Sequence, residues 1–260
     1  MSSTCDSNPD KNLGEQAKRP IDNNLGEQAK RPIDKKLGLL WMAFLLLLGT
    51  SASAVLASSA FELSVSLSGI LCVGLIAIGR REGYLIGLYN SLSYALLAYH
   101  NGLFGELYLN LFFFVPTGIL GYFMWRRHSD ADKTVQMRAL SAKQRLFVAA
   151  LCVAATGGLA WLLSLNPEQN TPWVDASTNV LSIVATFLMM LRYKEQWLLY
   201  ILLNILSIAM WLLRSLAGGE AGDLMVLMWA IFLLNAVFGA WRWHQGARRA
   251  GMEQARCDAA

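Results

Sequence analysis

The chain has 260 residues, 55% of them apolar and only 15% charged. That balance excludes an ordinary soluble domain, which carries about 25% charged residues. The formal net charge of +4 is no footprint of nucleic-acid binding either, because the basic residues are scattered over short polar breaks instead of lining one face.

Long apolar runs recur between those breaks. A helix needs roughly 20 such residues to cross a bilayer, with about 17 as the usual lower bound. Eight runs are candidates: Leu37–Ala57, Leu63–Ile78, Tyr84–Tyr99, Leu107–Trp125, Leu146–Leu165, Val174–Leu191, Trp197–Leu213 and Leu224–Trp241. A soluble helical core would show a polar stripe on most of them, and these runs are apolar nearly all round.

Residues Met1–Lys36 are polar and poor in aromatic side chains, so they read as a disordered tail. The tail holds a tandem duplication with a twelve-residue period, NLGEQAKRPID at Asn12–Asp22 and again at Asn24–Asp34. Two copies of so short a period do not make a solenoid; they read as a recent duplication in an unconstrained segment. Leu37–Gly49 followed by small residues has the pattern of a signal peptide. The preceding polar region is longer than usual and the apolar run continues to Ala57, which favours a retained signal-anchor helix.

From the second run onward the sequence repeats itself. Leu88-Tyr-Asn-Ser-Leu-Ser-Tyr-Ala95 matches Leu202-Leu-Asn-Ile-Leu-Ser-Ile-Ala209, and Glu82-Gly-Tyr84 matches Glu195-Gln-Trp197. Gly105-Glu-Leu107 matches Gly222-Asp-Leu224, Trp125-Arg-Arg-His128 matches Trp241-Arg-Trp-His244, and Glu62 sits where Asp175 sits. Residues 61–128 and 171–244 are therefore two copies of a three-helix unit. Residues 129–170 hold a charged loop and a linker helix, and 245–260 read as a second tail. An even number of crossings separates equivalent helices, so the copies are parallel. The architecture expected is an all-α membrane protein of eight transmembrane helices: one N-terminal helix and a 3+1+3 core of the SWEET-like type, with a site near the midplane between the repeats. With the N-terminus in the cytoplasm, every basic residue except Arg214 falls on the inner side, as the positive-inside rule demands. Both termini are then cytoplasmic.

Candidate functional residues come from polar and aromatic side chains inside the runs. Trp197, Tyr200, Asn204, Ser207 and Trp211 recur at spacings of three and four and share one helix face. An amide in the middle of an apolar helix costs several kcal/mol unless something satisfies it. Trp197, Tyr200 and Asn204 are the first nominees, then Asn90 and Tyr94 on the matching helix. Gln196, Asn110, Thr117, Thr178, Asn179 and Asn235 are secondary. The bland readings stand beside these. Asn90 and Asn204 also suit polar glue between helices. Trp125, Trp241 and Trp243 read as an interfacial aromatic belt, and Glu62, Glu106, Asp175 and Asp223 as carboxylates at helix starts. Pro116 removes one helical hydrogen bond and marks a kink and a candidate hinge.

The centres of the runs lack ionisable residues, which argues against an ion- or proton-coupled carrier. No phosphate-binding loop is present for direct use of ATP. Cys5, Cys72, Cys152 and Cys257 have no paired spacing and the chain has three His, so neither a metal site nor a cofactor is expected. A phosphorylated solute would want Arg or Lys in the pathway. Aromatic faces, amides and hydroxyls suit a nucleoside, with a flat ring to stack and sugar hydroxyls to bond.

The Asp175…Thr178-Asn179 entry, Glu195 with Trp197 and Asn204, the Tyr89-Asn90…Tyr94 run and Gly105-Glu106 resemble the PnuC family of nicotinamide riboside transporters over about Phe61 to Trp243. The resemblance implies a 3+1+3 helix core and uptake of the dephosphorylated vitamin by facilitated diffusion across a bacterial inner membrane. It also implies trapping by a cytosolic kinase and no enzymatic activity of the carrier. Similar carriers take thiamine or riboflavin, and a membrane subunit that binds its ligand without passing it is the alternative of another class. The sequence leaves room for a homo-oligomer.

Overall fold

The computed structural model describes residues 36–51, 59–100, 104–129, 134–165, 171–216 and 222–258. The duplicated tail and the small-residue stretch after the first apolar run lie outside the described residues.

The described chain is helical: α1 (Lys36–Ser51), α2 (Ala60–Ala77), α3 (Glu82–His100), α4 (Phe104–Leu109), α5 (Val115–Arg127), α6 (Ala142–Ser164), α7 (Pro172–Met190), α8 (Gln196–Leu216) and α9 (Gly222–Asp258). Each sequence run falls on one of these helices over its described residues, the fourth on α4 and α5 together. Five helical stretches are long and apolar enough to cross a membrane: Ala60–Ala77, Leu107–Arg127, Ala142–Ser164, Pro172–Met190 and Val226–Met252. α1 and Gln196–Met210 are shorter apolar helices. α3, which carries four tyrosines and Asn90, is not among the five. α9 runs well past Trp241 to Asp258, so most of the expected C-terminal tail is helix.

Local chemistry starts these helices where the sequence places them. Ser59 caps α2 by accepting the Glu62 N–H, and Glu62 lies in its first turn. Ser141 and Gln144 form a capping box at the start of α6. Pro172 and Asp175 occupy the first turn of α7. Between α4 and α5 the backbone makes one turn of π-helix, Asn110–Phe114, in which the Val115 N–H reaches Asn110 O. Pro116 follows directly, in the first turn of α5. The expected break in the helix is therefore an over-wide turn just before the proline.

The repeat is visible bond by bond. At the end of α2 the N–H groups of Ile78, Gly79 and Arg80 donate to the carbonyls of Gly74, Ile76 and Leu75. At the end of α7 those of Leu191, Arg192 and Tyr193 donate to Phe187, Met189 and Leu188. Both turns use a left-handed residue, Gly79 at φ 78° and Arg192 at φ 67°. Glycine takes that conformation freely, whereas arginine there costs about 1–2 kcal/mol. Burial presses the Arg192 guanidinium below its ordinary pKa, and nearby Arg138 adds to the effect.

One short stretch joins the two turns. Val135 N–H donates to Gly79 O at 2.9 Å, Arg138 N–H to Arg192 O at 2.8 Å, and Lys194 N–H back to Arg138 O at 2.9 Å. Glu195 accepts the Leu140 N–H at 3.0 Å and pairs with Arg145 at 3.1 Å. α2 and α7 thus end against the same segment, on the same side of the molecule.

Trp125 and Trp243 correct the belt reading. Both are fully buried, whereas Trp241 is 48% exposed, as a belt residue would be. Trp125 Nε1 donates to Met189 O at 2.9 Å, at the end of α7. Trp243 Nε1 donates to Ile76 O at 3.3 Å and Ala77 O at 3.2 Å, at the end of α2. Their rings touch, with centroids 5.5 Å apart. Trp125 is therefore matched by Trp243, two residues beyond the Trp241 that sequence similarity selects. The remaining packing follows the same pairing: α2 on α3 and α7 on α8, α3 on α5 and α8 on α9, α2 on α9 and α5 on α7. α1 docks outside, where Leu45 packs on Ile70 and Ile231.

Candidate functional site

A cavity of about 310 Å³ lies between the helices, within the usual range for small-molecule sites, roughly 300–1,000 Å³. Its walls obey the repeat. Val73 and Ile76 on α2 correspond to Thr186 and Met189 on α7. Tyr84, Gly87, Asn90 and Ser91 on α3 correspond to Trp197, Tyr200, Leu203 and Asn204 on α8. Phe114, Thr117 and Gly118 correspond to Phe232, Asn235 and Ala236 on α9. Every pair on the first four helices has one sequence separation, and every pair on the last two has another. Tyr84 lies over Gly121 as Trp197 lies over Gly239; an added Cβ would clash with the ring in both places. The cavity therefore sits where the two triplets face each other. It lies between the helix middles and the end that carries the two left-handed turns, not at the helix midpoints.

Among the described residues no Asp, Glu, Lys, Arg or His lines this space. Among the described residues no cluster of His, Cys, Asp or Glu is placed to hold a metal. What lines it is rings, aliphatic side chains, amides, hydroxyls and the Cys72 thiol.

Seven of the nominated residues come together here: Trp197, Tyr200, Asn204, Asn90, Asn110, Thr117 and Asn235. Their hydrogen bonds separate them. Asn235 is spent at both ends, accepting from Trp41 Nε1 at 3.1 Å and donating to Val73 O at 3.0 Å. The Asn90 amide N–H groups go to Val65 O at 2.7 Å and Ser68 Oγ at 3.1 Å. Thr117 bonds back to Phe113 O, and the Tyr200 hydroxyl lies 3.4 Å from Thr186 Oγ1. Asn204 differs. It is 4% exposed and lines the cavity, and its carboxamide has no hydrogen-bond partner among the described residues. Its amide opens onto the cavity and is available to bond whatever occupies it.

Four nominees are elsewhere. Thr178 bonds the carbonyls of Val174 and Asp175 in its own helix. Asn179 is exposed and bonds Asp175 O; both lie toward the start of α7, while the cavity meets its other end. Tyr94 is one turn beyond Ser91, off the cavity wall. Gln196 is fully buried beside Trp197 but does not line the space, and neither end of its amide has a partner among the described residues.

The sequence reading missed Tyr84, Ser91, Thr186 and Trp229. The Tyr84 hydroxyl and the indole N–H groups of Trp197 and Trp229 are buried and unpartnered among the described residues. Tyr84 and Ser91 were accessible from the repeat, given its true register; nothing local singles out Trp229. The site can hold a flat, oxygen-bearing solute by ring contact and neutral hydrogen bonds, and it offers no counter-charge to a phosphate.

The family model described as nicotinamide mononucleotide transporter matches residues 59–245. The nicotinamide riboside transporter PnuC of Neisseria mucosa is 38% identical over 190 residues, covering 71% of this chain and 72% of that protein. The PnuC of Haemophilus influenzae is 30% identical over 213 residues, covering 80% and 90%. The crystal structure of the vitamin B3 transporter PnuC is similar to this fold with a TM-score of 0.69 at 34% identity, covering 82% of this chain and 93% of that one.

Proposed function

The chain belongs to the PnuC transporter family, and from that premise we propose that it carries nicotinamide riboside into the cytoplasm through the cavity between its two triplets. The observation that carries this reading is Asn204: a buried carboxamide without a partner, in an aromatic-lined space free of charged side chains. A pyridinium ring is attracted to indole and phenol faces, by about 2 kcal/mol when desolvated. Ribose hydroxyls and a carboxamide match Asn204 and the unpartnered ring donors. The family description names the mononucleotide, but its phosphate would be desolvated opposite no cation, so the riboside is the better cargo.

Transport is uncoupled and runs down the cargo's gradient, which cytosolic phosphorylation of the product maintains. That the described cavity wall has no Asp, Glu, Lys, Arg or His supports this, because coupled carriers keep such relays inside the membrane. The arrangement is eight crossings in a 3+1+3 plan, with parallel triplets and both termini in the cytoplasm. The matched turns at Gly79 and Arg192, both held by residues 134–140, support the parallel sense. Trp41, by bonding Asn235, supports retention of α1 as part of the working protein.

Vesicles containing the purified protein should accumulate labelled nicotinamide riboside to equilibrium with no ion gradient. Nicotinamide mononucleotide in tenfold excess should leave that uptake unchanged. A requirement for a proton or sodium gradient, or strong inhibition by the mononucleotide, would overturn the reading. Binding without flux would make the protein a ligand-holding subunit instead.

A further inference from the structure

Sequence similarity aligns Asn90 with Asn204, because Leu-Tyr-Asn-Ser-Leu and Leu-Leu-Asn-Ile-Leu share three letters. The cavity walls align differently. Tyr84 pairs with Trp197 and Gly87 with Tyr200, and the same separation carries Ser91 onto Asn204 and Asn90 onto Leu203. A shift of one residue turns a helix by about 100°, so the two alignments assign the cargo-facing role to different side chains.

The hydrogen bonds decide between them. Asn90 points its amide N–H groups at α2, bonding Val65 O and Ser68 Oγ. Ser91 is half-buried on the cavity wall, and its hydroxyl has no hydrogen-bond partner among the described residues. Other hydroxyls along these helices do bond back: Ser68 Oγ donates to Val65 O at 2.8 Å, and Thr117 and Thr186 bond carbonyls one turn behind them. Ser91 and Asn204 are thus equivalent positions on the two triplets, both facing the cavity and both unspent.

We infer that Ser91 is a specificity-determining residue of this carrier, hydrogen-bonding a hydroxyl or carboxamide of the cargo from the first triplet as Asn204 does from the second. Asn90, by contrast, is a strut between α3 and α2. The inference rests on the reading that the cavity takes nicotinamide riboside. Two neutral contacts from opposite walls hold a polar solute across the space between the triplets, which one contact cannot do. Ser91 brings both a donor and an acceptor, so it suits a sugar hydroxyl as well as an amide.

The test is a binding titration of the full-length protein in detergent with nicotinamide riboside and four analogues. Three are the riboside lacking the 2′, 3′ or 5′ hydroxyl, and the fourth has acetyl in place of the carboxamide. Wild-type binding of the riboside checks the underlying reading separately. Ser91→Ala should lower riboside affinity about 5- to 10-fold, while its affinity for one analogue stays at the wild-type value, because that analogue lacks the group Ser91 contacts. Asn90→Ala should lower the unfolding midpoint and leave the ranking of the five compounds intact. Unchanged riboside affinity in Ser91→Ala, an equal loss across all five compounds, or an altered ranking in Asn90→Ala would each overturn the inference.

Discussion

Tyr84, Gly87, Asn90 and Ser91 on α3 occupy the positions that Trp197, Tyr200, Leu203 and Asn204 occupy on α8. The first triplet places a glycine where the second places a phenol ring. It spends its amide on a neighbouring helix, where the second has a leucine and keeps its amide one residue further on. The second triplet also supplies Thr186 against Val73 and Asn235 against Thr117. The backbone frame, with its matched turns, matched tryptophans and matched helix contacts, is common to both. Duplication therefore accounts for the scaffold, and divergence at a few wall positions accounts for the chemistry of the cavity. Gly87 leaves room on one side while Tyr200 and Trp197 build an aromatic surface on the other.

Three pairs of substitutions sharpen that contrast. Asn204→Leu should have the largest effect: riboside affinity should fall roughly 100-fold, about 2.7 kcal/mol, while the unfolding midpoint barely moves. Asn90→Leu, its neighbour in the sequence alignment, should do the reverse, and equal losses of folding and binding in both would erase the distinction. Next, Trp125→Phe and Trp243→Phe should each lower stability by about 2 kcal/mol, one lost hydrogen bond plus imperfect filling of the indole's place. Denaturation of the two single variants should give matching values; a gap above about 1 kcal/mol would break the equivalence, and their contact makes the double variant non-additive. The smallest effect is expected at the turns. Gly79→Ala should cost about 1 kcal/mol, because the left-handed backbone and the Met137 methyl 2.9 Å from the new Cβ both oppose it. Arg192→Gly should stay within about 0.5 kcal/mol of wild type, trading backbone relief against the lost guanidinium contacts. A thermal-shift comparison of the two would check this.

Much of the frame was legible from the sequence, because bilayer-length apolar runs and a long internal repeat leave few alternatives. The register was not. Letter matches favour Asn90 with Asn204 and Trp125 with Trp241, yet packing matches faces, and a helix face moves with every residue inserted in the loops. Trp125 and Trp243 looked interfacial because they sit near the ends of apolar runs. Only the fold shows that each indole reaches the end of a helix in the other triplet. Thr178 and Asn179 failed as cavity residues for a plainer reason: they lie near the opposite end of α7, and short hydroxyl and amide side chains bond their own helix. Asn204 succeeded because an amide on an otherwise apolar face has few places to go.

The crossed tryptophans make each triplet complete the other. The Trp125 indole is satisfied by a carbonyl from α7 and the Trp243 indole by carbonyls from α2. Identical subunits meeting across a twofold axis make contacts of this exchanged kind. Severed between α5 and α7, the protein would have two halves whose indole donors and helix ends lose their partners. Such fragments should survive only when produced together, each acting as the missing partner of its sibling.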